Sequence, residues 1–212
     1  MEFVDRTDVG RRLADKLEPY KDKDCIVYAL PRGGVVPAAI VARRLLAPLD
    51  LLITRKVGHP YHPEYAIAAV TEKGIVVGSR RELGILDEKW LDIEIKRQQD
   101  EVRRRRKVYL QDKVSLSPKG KIAIIVDDGI ATGLTMKAAI KELRQQNPAK
   151  IIVAIPVAPK DVVDELEKDV DEVVGLIIPD EFAGAVGAYY QQFNQVSDKE
   201  VIELLNSFSS DA

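Results

Sequence analysis

The chain has 212 residues, of which 46% are hydrophobic and 31% are charged, and its formal net charge is −2 at pH 7. This composition fits one globular α/β domain, and the net charge provides no bulk positive field that favours nucleic acid. One cysteine excludes a disulfide framework and a cysteine zinc site, and no apolar run reaches the roughly 18 residues that span a membrane. Because the charged first residues lack a signal-peptide core, a soluble, cytoplasmic protein is expected.

Short apolar runs alternate with helical patterns along the chain. Strands are predicted at 25–30, 50–56, 67–71, 74–79, 122–128, 150–157 and 172–179, and helices at 35–46, 86–113, 134–146 and 160–168. The last three strands are almost continuously β-branched, which is typical of parallel strands that are buried on both faces. The alternation predicts an α/β fold with a doubly wound, mainly parallel sheet, whose ligand lies at the carboxyl ends of the strands.

The helical segment 86–113 contains four arginines and a lysine in a row at 103–107. A solvated helix face is the favoured interpretation, because Glu94, Asp100 and Glu101 offset the charge. A nucleic-acid-binding patch is the alternative.

The stretch IAIIVDDGIATGLT, residues 122–135, places two acids at the end of a buried strand and a turn of small residues before a helix. Asp127 and Asp128 can accept hydrogen bonds from two neighbouring hydroxyls or hold a hydrated Mg²⁺. The N–H groups of the turn form a cradle for an anion, and Gly133 allows a phosphate to come close. The alternative is an ordinary helix start that Thr132 caps, but that alternative does not explain the paired acids.

This pattern resembles the 5-phosphoribosyl 1-diphosphate (PRPP) motif of the type I phosphoribosyltransferases, and it is not a Walker A loop. The resemblance implies a Rossmann-like fold with a small hood and a pentosyl-transferring enzyme that uses PRPP and Mg²⁺. It also implies that the two acids bind the ribose hydroxyls and, through water, the metal. The residues expected to bind the ribose and the 5′-phosphate are Asp127, Asp128, Gly129, Ile130, Ala131, Thr132, Gly133, Leu134 and Thr135.

A second segment, LPRGG at 30–34, follows the first core strand and opens a helix. In the family that it resembles, this loop binds pyrophosphate through backbone amides. The resemblance implies that pyrophosphate is bound by Arg32, Gly33, Gly34, Arg55 and Lys56. Taken alone, the segment also fits a plain strand-to-helix turn.

Both histidines lie in the segment that follows Arg55, where the family has a mobile loop that closes over the reacting centre. Glu64, His59 and Arg55 are the candidate catalytic residues, with His62 as a further acid or base. The alternatives are surface loop residues or a His-x-x-His zinc site, for which too few other ligands are apparent.

The segment IIPDEFAGAV resembles the base-binding end of the 6-oxopurine enzymes, where Phe182 would stack on the base and Ala183 would contact the ring edge. Lys160 lies two residues beyond the position of a base-reading lysine. Two departures stand out: Ala131 replaces an acid that acts on the base, and Tyr189 replaces a metal-binding acid. The motifs are therefore adenine-type at the phosphate and oxopurine-type at the base.

The chain most resembles the orphan bacterial phosphoribosyltransferases. We expect transfer from PRPP to a nitrogen acceptor, a purine-like base in nucleotide salvage, by a homodimer without nucleic-acid or membrane partners. A single domain over 1–212 is expected, with a core at about 24–180, a helical insertion at about 86–113, and a hood and tail at about 180–212. The alternative is a non-catalytic sensor of PRPP or nucleotides, in which the arginine run contacts nucleic acid.

A third class is a phosphatase or hydrolase built on twin aspartates. Such enzymes use a second acid two residues after the first, and Asp127-Asp128-Gly129 lacks it. This class is therefore disfavoured.

Overall fold

The structure is a computed structural model that describes residues 1–111 and 113–208, without the side chain of Arg80. The strands are β1 Cys25–Ala29, β2 Leu49–Leu51, β3 Thr54–His59, β4 His62–Thr71, β5 Val76–Gly78, β6 Ile122–Val126, β7 Lys150–Val157 and β8 Glu172–Ile177. The helices are α1 Arg6–Lys16, α2 Val35–Leu45, α3 Arg80–Leu83, α4 Glu88–Leu110, α5 Leu134–Arg144, α6 Lys160–Leu166 and α7 Asp198–Ser207.

The central sheet has five parallel strands in the order β2-β1-β6-β7-β8. The chain runs from β1 to one edge of the sheet and later from β6 to the other edge. This reversal places the carboxyl ends of β1 and β6 side by side at a topological switch point, where ligands of such sheets bind. The predicted parallel α/β architecture is confirmed.

The hydrophobic core lies on both faces of this sheet, because successive strand residues point to opposite sides. On one face, Val27 and Ile124 pack with buried residues of α1, α2 and α7. On the other face, Ile26 and Ile125 pack with buried residues of α5 and α6. Helices therefore cover the sheet on both sides, as a doubly wound fold requires.

The predicted strand at 50–56 is wrong as a single element, because the chain leaves the central sheet between β2 and β3. Strands β3, β4 and β5 instead form a separate antiparallel sheet. The strand pair predicted at 67–71 and 74–79 is confirmed as β4 and β5. The segment around the histidines, for which the resemblance implies a loop, is a hairpin that turns at Pro60 and Tyr61.

Helix α4 is 23 residues long and packs against both the antiparallel sheet and the main core. Its first residues include Trp90, which packs with Val57 and Ile67 of the hairpin. Farther along the helix, Val102 and Tyr109 are buried in the main core. Across the described ranges, no helix has both the length and the apolar character that a membrane crossing demands.

The four arginines of the 103–107 run each have an acidic partner. The ion pairs are Arg103–Asp100 at 3.0 Å, Arg104–Glu101 at 2.7 Å, Arg105–Glu101 at 2.8 Å and Arg106–Glu72 at 3.2 Å. The side chains of Arg103 and Arg104 are more than half exposed, as a solvated helix face predicts. Those of Arg105 and Arg106 are only 18% and 19% exposed, so these two residues face the protein.

Replacing Ile124 with alanine should lower the free energy of unfolding by about 2–5 kcal/mol, because the side chain is fully buried and its removal leaves a cavity. Urea denaturation followed by circular dichroism measures this loss. Ile93→Ala, at a position that is 70% exposed, is the matched control and should change stability by no more than about 0.5 kcal/mol. Equal losses in the two variants would contradict the core described here.

Candidate active site

The two acids of the phosphate motif follow β6 at the switch point of the sheet. The Oδ1 atom of Asp127 accepts the backbone N–H of Asp128 at 2.8 Å. The backbone N–H of Asp127 donates to the carbonyl of Ala154 on β7 at 3.3 Å. Burial, followed by the charge of the adjacent Asp128, raises the pKa of Asp127 well above its usual range.

Arg6 of α1 is a site residue that the sequence analysis missed. Its Nε donates to Asp128 Oδ2 at 2.7 Å, and its Nη1 donates to the carbonyl of Asn194 at 2.7 Å. Its guanidinium lies 4.0 Å from the centre of the Phe193 ring. The side chains of Arg6 and Asp128 are 11% and 15% exposed, so water screens this ion pair only weakly. Arg6 therefore balances the charge of one of the two adjacent acids.

The 31–34 loop packs directly on these acids. A Cβ atom at Gly33 would overlap the carboxylate of Asp128, and one at Gly34 would lie 2.9 Å from Asp127 Cα. Both positions therefore require glycine because the two loops approach so closely. The peptide bond between the first two residues of this loop is cis.

Arg32 extends from the same loop and is held by a network from two helices. Its Nη1 lies 3.4 Å from Asp198 Oδ1 at the start of α7. The hydroxyl of Tyr109 on α4 donates to the same Asp198 oxygen at 2.7 Å. The Tyr109 hydrogen bond and the positive charge of Arg32 hold the pKa of Asp198 below its usual range.

The loop that follows the acids leaves the start of α5 open. Gly133, with φ +74°, is the residue that precedes the helix, and within the described chain no side chain caps it. The alternative in which Thr132 caps the helix is therefore wrong, and both Ala131 and Thr132 are exposed. The backbone N–H of Ile130 donates to the carbonyl of Val157 at 2.9 Å, which ties the loop to the end of β7.

A cavity of about 610 Å³ opens beside these loops. It brings together five residues predicted from the sequence: Arg55, Lys56, His59, Glu64 and Thr135. A further wall, which the sequence analysis did not anticipate, comes from α4 and consists of Trp90, Glu94, Arg97, Gln98 and Arg105. Phe182, Ala183 and Lys160 do not line this cavity.

The two histidines lie at the tip of the hairpin. Their rings are 5.7 Å apart and nearly parallel, at 26°. The Nδ1 atom of His59 accepts the backbone N–H of Tyr61 at 3.3 Å, whereas His62 and Glu64 are exposed. His59 and Glu64 are thus the predicted acid or base groups that reach the cavity.

The chain offers limited means of holding a metal. In residues 1–111 and 113–208, no three potential His, Cys, Asp or Glu ligands cluster, so the zinc alternative gains no support. Asp127 and Asp128 supply two carboxylates, and Arg6 already occupies one of them. Such a pair fits Mg²⁺, which commonly binds one or two carboxylates together with substrate phosphates and water.

The predicted base-binding residues are engaged with other parts of the chain. The rings of Phe182 and Tyr189 stack at 5.6 Å and 27°, and the backbone N–H of Ala183 donates to the Tyr189 hydroxyl at 3.0 Å. Lys160 is exposed and lies 3.1 Å from Asp164. One ring face and one backbone donor that a base would use are therefore already occupied by Tyr189.

The fold and these loops define an α/β protein with a cluster of loops at the carboxyl ends of its parallel strands. The sequence model of the phosphoribosyl transferase domain matches residues 5–192. This chain belongs to the phosphoribosyl transferase family, whose members are pentosyl-transferring enzymes.

Relatives of known sequence or structure agree with this assignment. Two curated Mycobacterium tuberculosis proteins, from strains CDC 1551 and H37Rv, are provisionally named phosphoribosyl transferases and are 42% identical over 213 aligned positions. The alignment covers 96% of this chain and 46% of each relative, so the chain spans about half their length. The crystal structure of TT1426 from Thermus thermophilus is 42% identical, with a TM-score of 0.82 and coverage of 98% and 99% of the two chains.

Asp127→Asn should make the protein more stable at pH 7. A raised pKa means that the folded state binds more protons than the unfolded state between the ordinary value of about 3.9 and the raised value. Wild-type stability therefore falls as the pH rises through that window. Asparagine stays neutral and can still accept the N–H of Asp128.

Denaturation at several pH values measures this difference, which should shrink as the pH falls towards about 4. Asp92→Asn on the exposed side of α4 is the matched control and should show no such trend. A stability gain that is the same at every pH would show that titration of Asp127 is not its cause.

Proposed function

We propose that this chain transfers the phosphoribosyl group of PRPP, in the presence of Mg²⁺, to a nitrogen atom of an acceptor and releases pyrophosphate. One observation carries the proposal: three recognition elements converge where β1 and β6 end. These are the paired acids, the glycine loop at 31–34 and the uncapped start of α5. PRPP carries one chemical group for each of them.

The assignment follows from charge and hydrogen-bonding capacity. The 5′-phosphate is bound by the N–H groups and hydroxyls of 131–135, where the helix dipole favours an anion. The ribose diol donates to the carboxylates of Asp127 and Asp128. The diphosphate lies on 31–34, and Arg55 and Lys56 face it from the hairpin.

In the transfer step, the bond between C1 and the diphosphate oxygen breaks while the acceptor nitrogen bonds to C1 from the opposite side. The bonding electron pair leaves with the pyrophosphate, and positive charge develops on the ribose ring. The side chains of Arg32, Arg55 and Lys56 stabilise the negative charge that develops on the leaving pyrophosphate. This is the largest charge change of the reaction. Bound Mg²⁺ would supply further neutralisation of the diphosphate. Glu64 or His59 accepts the proton that the acceptor nitrogen loses.

A purine-like base is the acceptor class to test first, with Phe182, Ala183 and Lys160 as its proposed contacts. The half-buried aromatic ring of Phe182 supports that choice. Because Tyr189 already stacks on Phe182 and accepts the N–H of Ala183, a base would use the other ring face or displace the tyrosine. The homodimer, the cytoplasmic location and the division of the domain stay predictions.

The double variant Asp127→Asn with Asp128→Asn should lose PRPP binding while remaining folded, because both acceptors for the ribose diol and the metal become weaker. Calorimetric titration with PRPP and Mg²⁺ measures the affinity, and circular dichroism checks the fold. The Asp92→Asn protein should bind as the wild type does. Unchanged affinity in the double variant would overturn the site assignment.

Pyrophosphate release with adenine, hypoxanthine, guanine, xanthine, uracil and orotate tests the acceptor class. Release with a purine is the expected result, and release with uracil or orotate alone would contradict the purine assignment. PRPP binding without release for any acceptor would favour the non-catalytic sensor.

A further inference from the structure

Helix α4 contacts Arg55, one of the cations that the proposed function places around pyrophosphate. The link to Arg55 is Gln98, whose side chain is almost completely buried, at 7% exposure. Gln98 Oε1 accepts from Arg55 Nε at 3.1 Å, and Gln98 Nε2 donates to Glu94 Oε1 at 2.8 Å. Because both ends of the amide are bonded, its orientation is fixed, and it fixes Arg55 in turn.

Among the described residues, Arg55 forms no direct ion pair, although the negative charge of Glu101 attracts it. Within the described ranges, no carboxylate lies within ion-pair distance of its guanidinium, which bonds only the neutral amide of Gln98. Burial, followed by the positive charge of Arg105, lowers the pKa of Arg55. A partly buried cation that forms no ion pair is relieved by an anion, and its two terminal nitrogens suit bidentate contact with phosphate oxygens.

Arg105 lies two helical turns beyond Gln98, on the same side of α4. It lines the cavity together with Arg55 and Pro31 of the glycine loop, and its side chain is 18% exposed. Its partner Glu101 also pairs with Arg104, so one carboxylate serves two arginines. The inner side of α4 therefore presents incompletely balanced positive charge to the cavity.

We propose that α4 forms a wall of the pyrophosphate subsite, in which Gln98 positions Arg55 and Arg105 contacts the diphosphate directly. The inference rests on the proposed function. Both arginines then bind the leaving group, pyrophosphate. This group gains the electron pair of the broken C1–O bond. Gln98 is a positioning residue, because it acts through Arg55 and touches no reacting atom.

The test compares Arg105→Gln and Gln98→Leu with Arg103→Gln, which removes the same charge from the exposed side of the helix. Each protein is titrated by calorimetry with Mg²⁺-pyrophosphate, PRPP and ribose 5-phosphate. Arg105→Gln should weaken pyrophosphate and PRPP binding about 10-fold or more, the effect of losing one charge-assisted hydrogen bond. Gln98→Leu should weaken both several-fold, and ribose 5-phosphate should bind as before. Arg103→Gln should match the wild type.

Gln98→Glu adds a check on the charge of Arg55, because its carboxylate would pair with Arg55 and repel the diphosphate. This variant should bind pyrophosphate less tightly than Gln98→Leu does. Wild-type pyrophosphate affinity in Arg105→Gln and Gln98→Leu would overturn the proposal. Equal weakening of all three ligands would also overturn it, since that result indicates general damage.

A different result would refute the proposed function independently of the proposal for α4. A wild-type protein that binds pyrophosphate but neither PRPP nor ribose 5-phosphate would refute phosphoribosyl transfer. The role of α4 would then still be decided by the pyrophosphate affinities of the variants.

Discussion

The packing of two adjacent carboxylates against a glycine loop is the constraint on which the site depends. Asp127 and Asp128 follow a strand whose last four residues are buried, and the 31–34 loop approaches them too closely for any side chain at Gly33 or Gly34. Paired acids in such a place are electrostatically unfavourable. The arrangement persists because Arg6 and a backbone N–H compensate part of the charge.

The negative charge of the two acids is only partly compensated, and the uncompensated charge bears on function. The raised pKa of Asp127 marks a group that the folded protein would hold more easily when neutral. Among the described residues, the guanidinium of Arg55 hydrogen-bonds Gln98 of α4 and forms no ion pair. The acids contact Gly33 and Gly34 of the 31–34 loop, and Arg55 and Lys56 line the cavity that Pro31 of the same loop borders. The buried and incompletely balanced carboxylate of Asp127 costs stability at this site.

Much of the architecture could be predicted from the sequence, because the patterns that indicate it are local. The β-branched runs at 122–128 and 150–157 are contiguous, and periodicity detects them. The paired acids and the turn that follows them could also be picked out as a candidate site, because all their residues lie within one short segment. The division of residues 50–56 between two sheets could not be recognised in the sequence, because no glycine or proline marks the point where the chain changes sheets.

The site residues that sequence reasoning did not find were missed for a different reason. Arg6 lies 122 positions from its partner Asp128, and no local pattern records that contact. Gln98 and Arg105 belong to a charged helix whose composition is that of any solvated surface, and only packing reveals which side faces the cavity. Tyr189 was noted as a departure from the family pattern, but its stacking on Phe182 depends on how the last turn folds.

The link between Arg6 and Asp128 also bears on how this protein reaches its active form. The site draws on α1, the glycine loop and the turn after β6, so it exists only after contacts between distant parts of the chain have formed. Loop closure of this kind is slow compared with local helix formation. A partly folded chain would therefore lack this site. Bound ligand would in turn stabilise the completed chain, by about 2.7 kcal/mol at a concentration 100-fold above Kd.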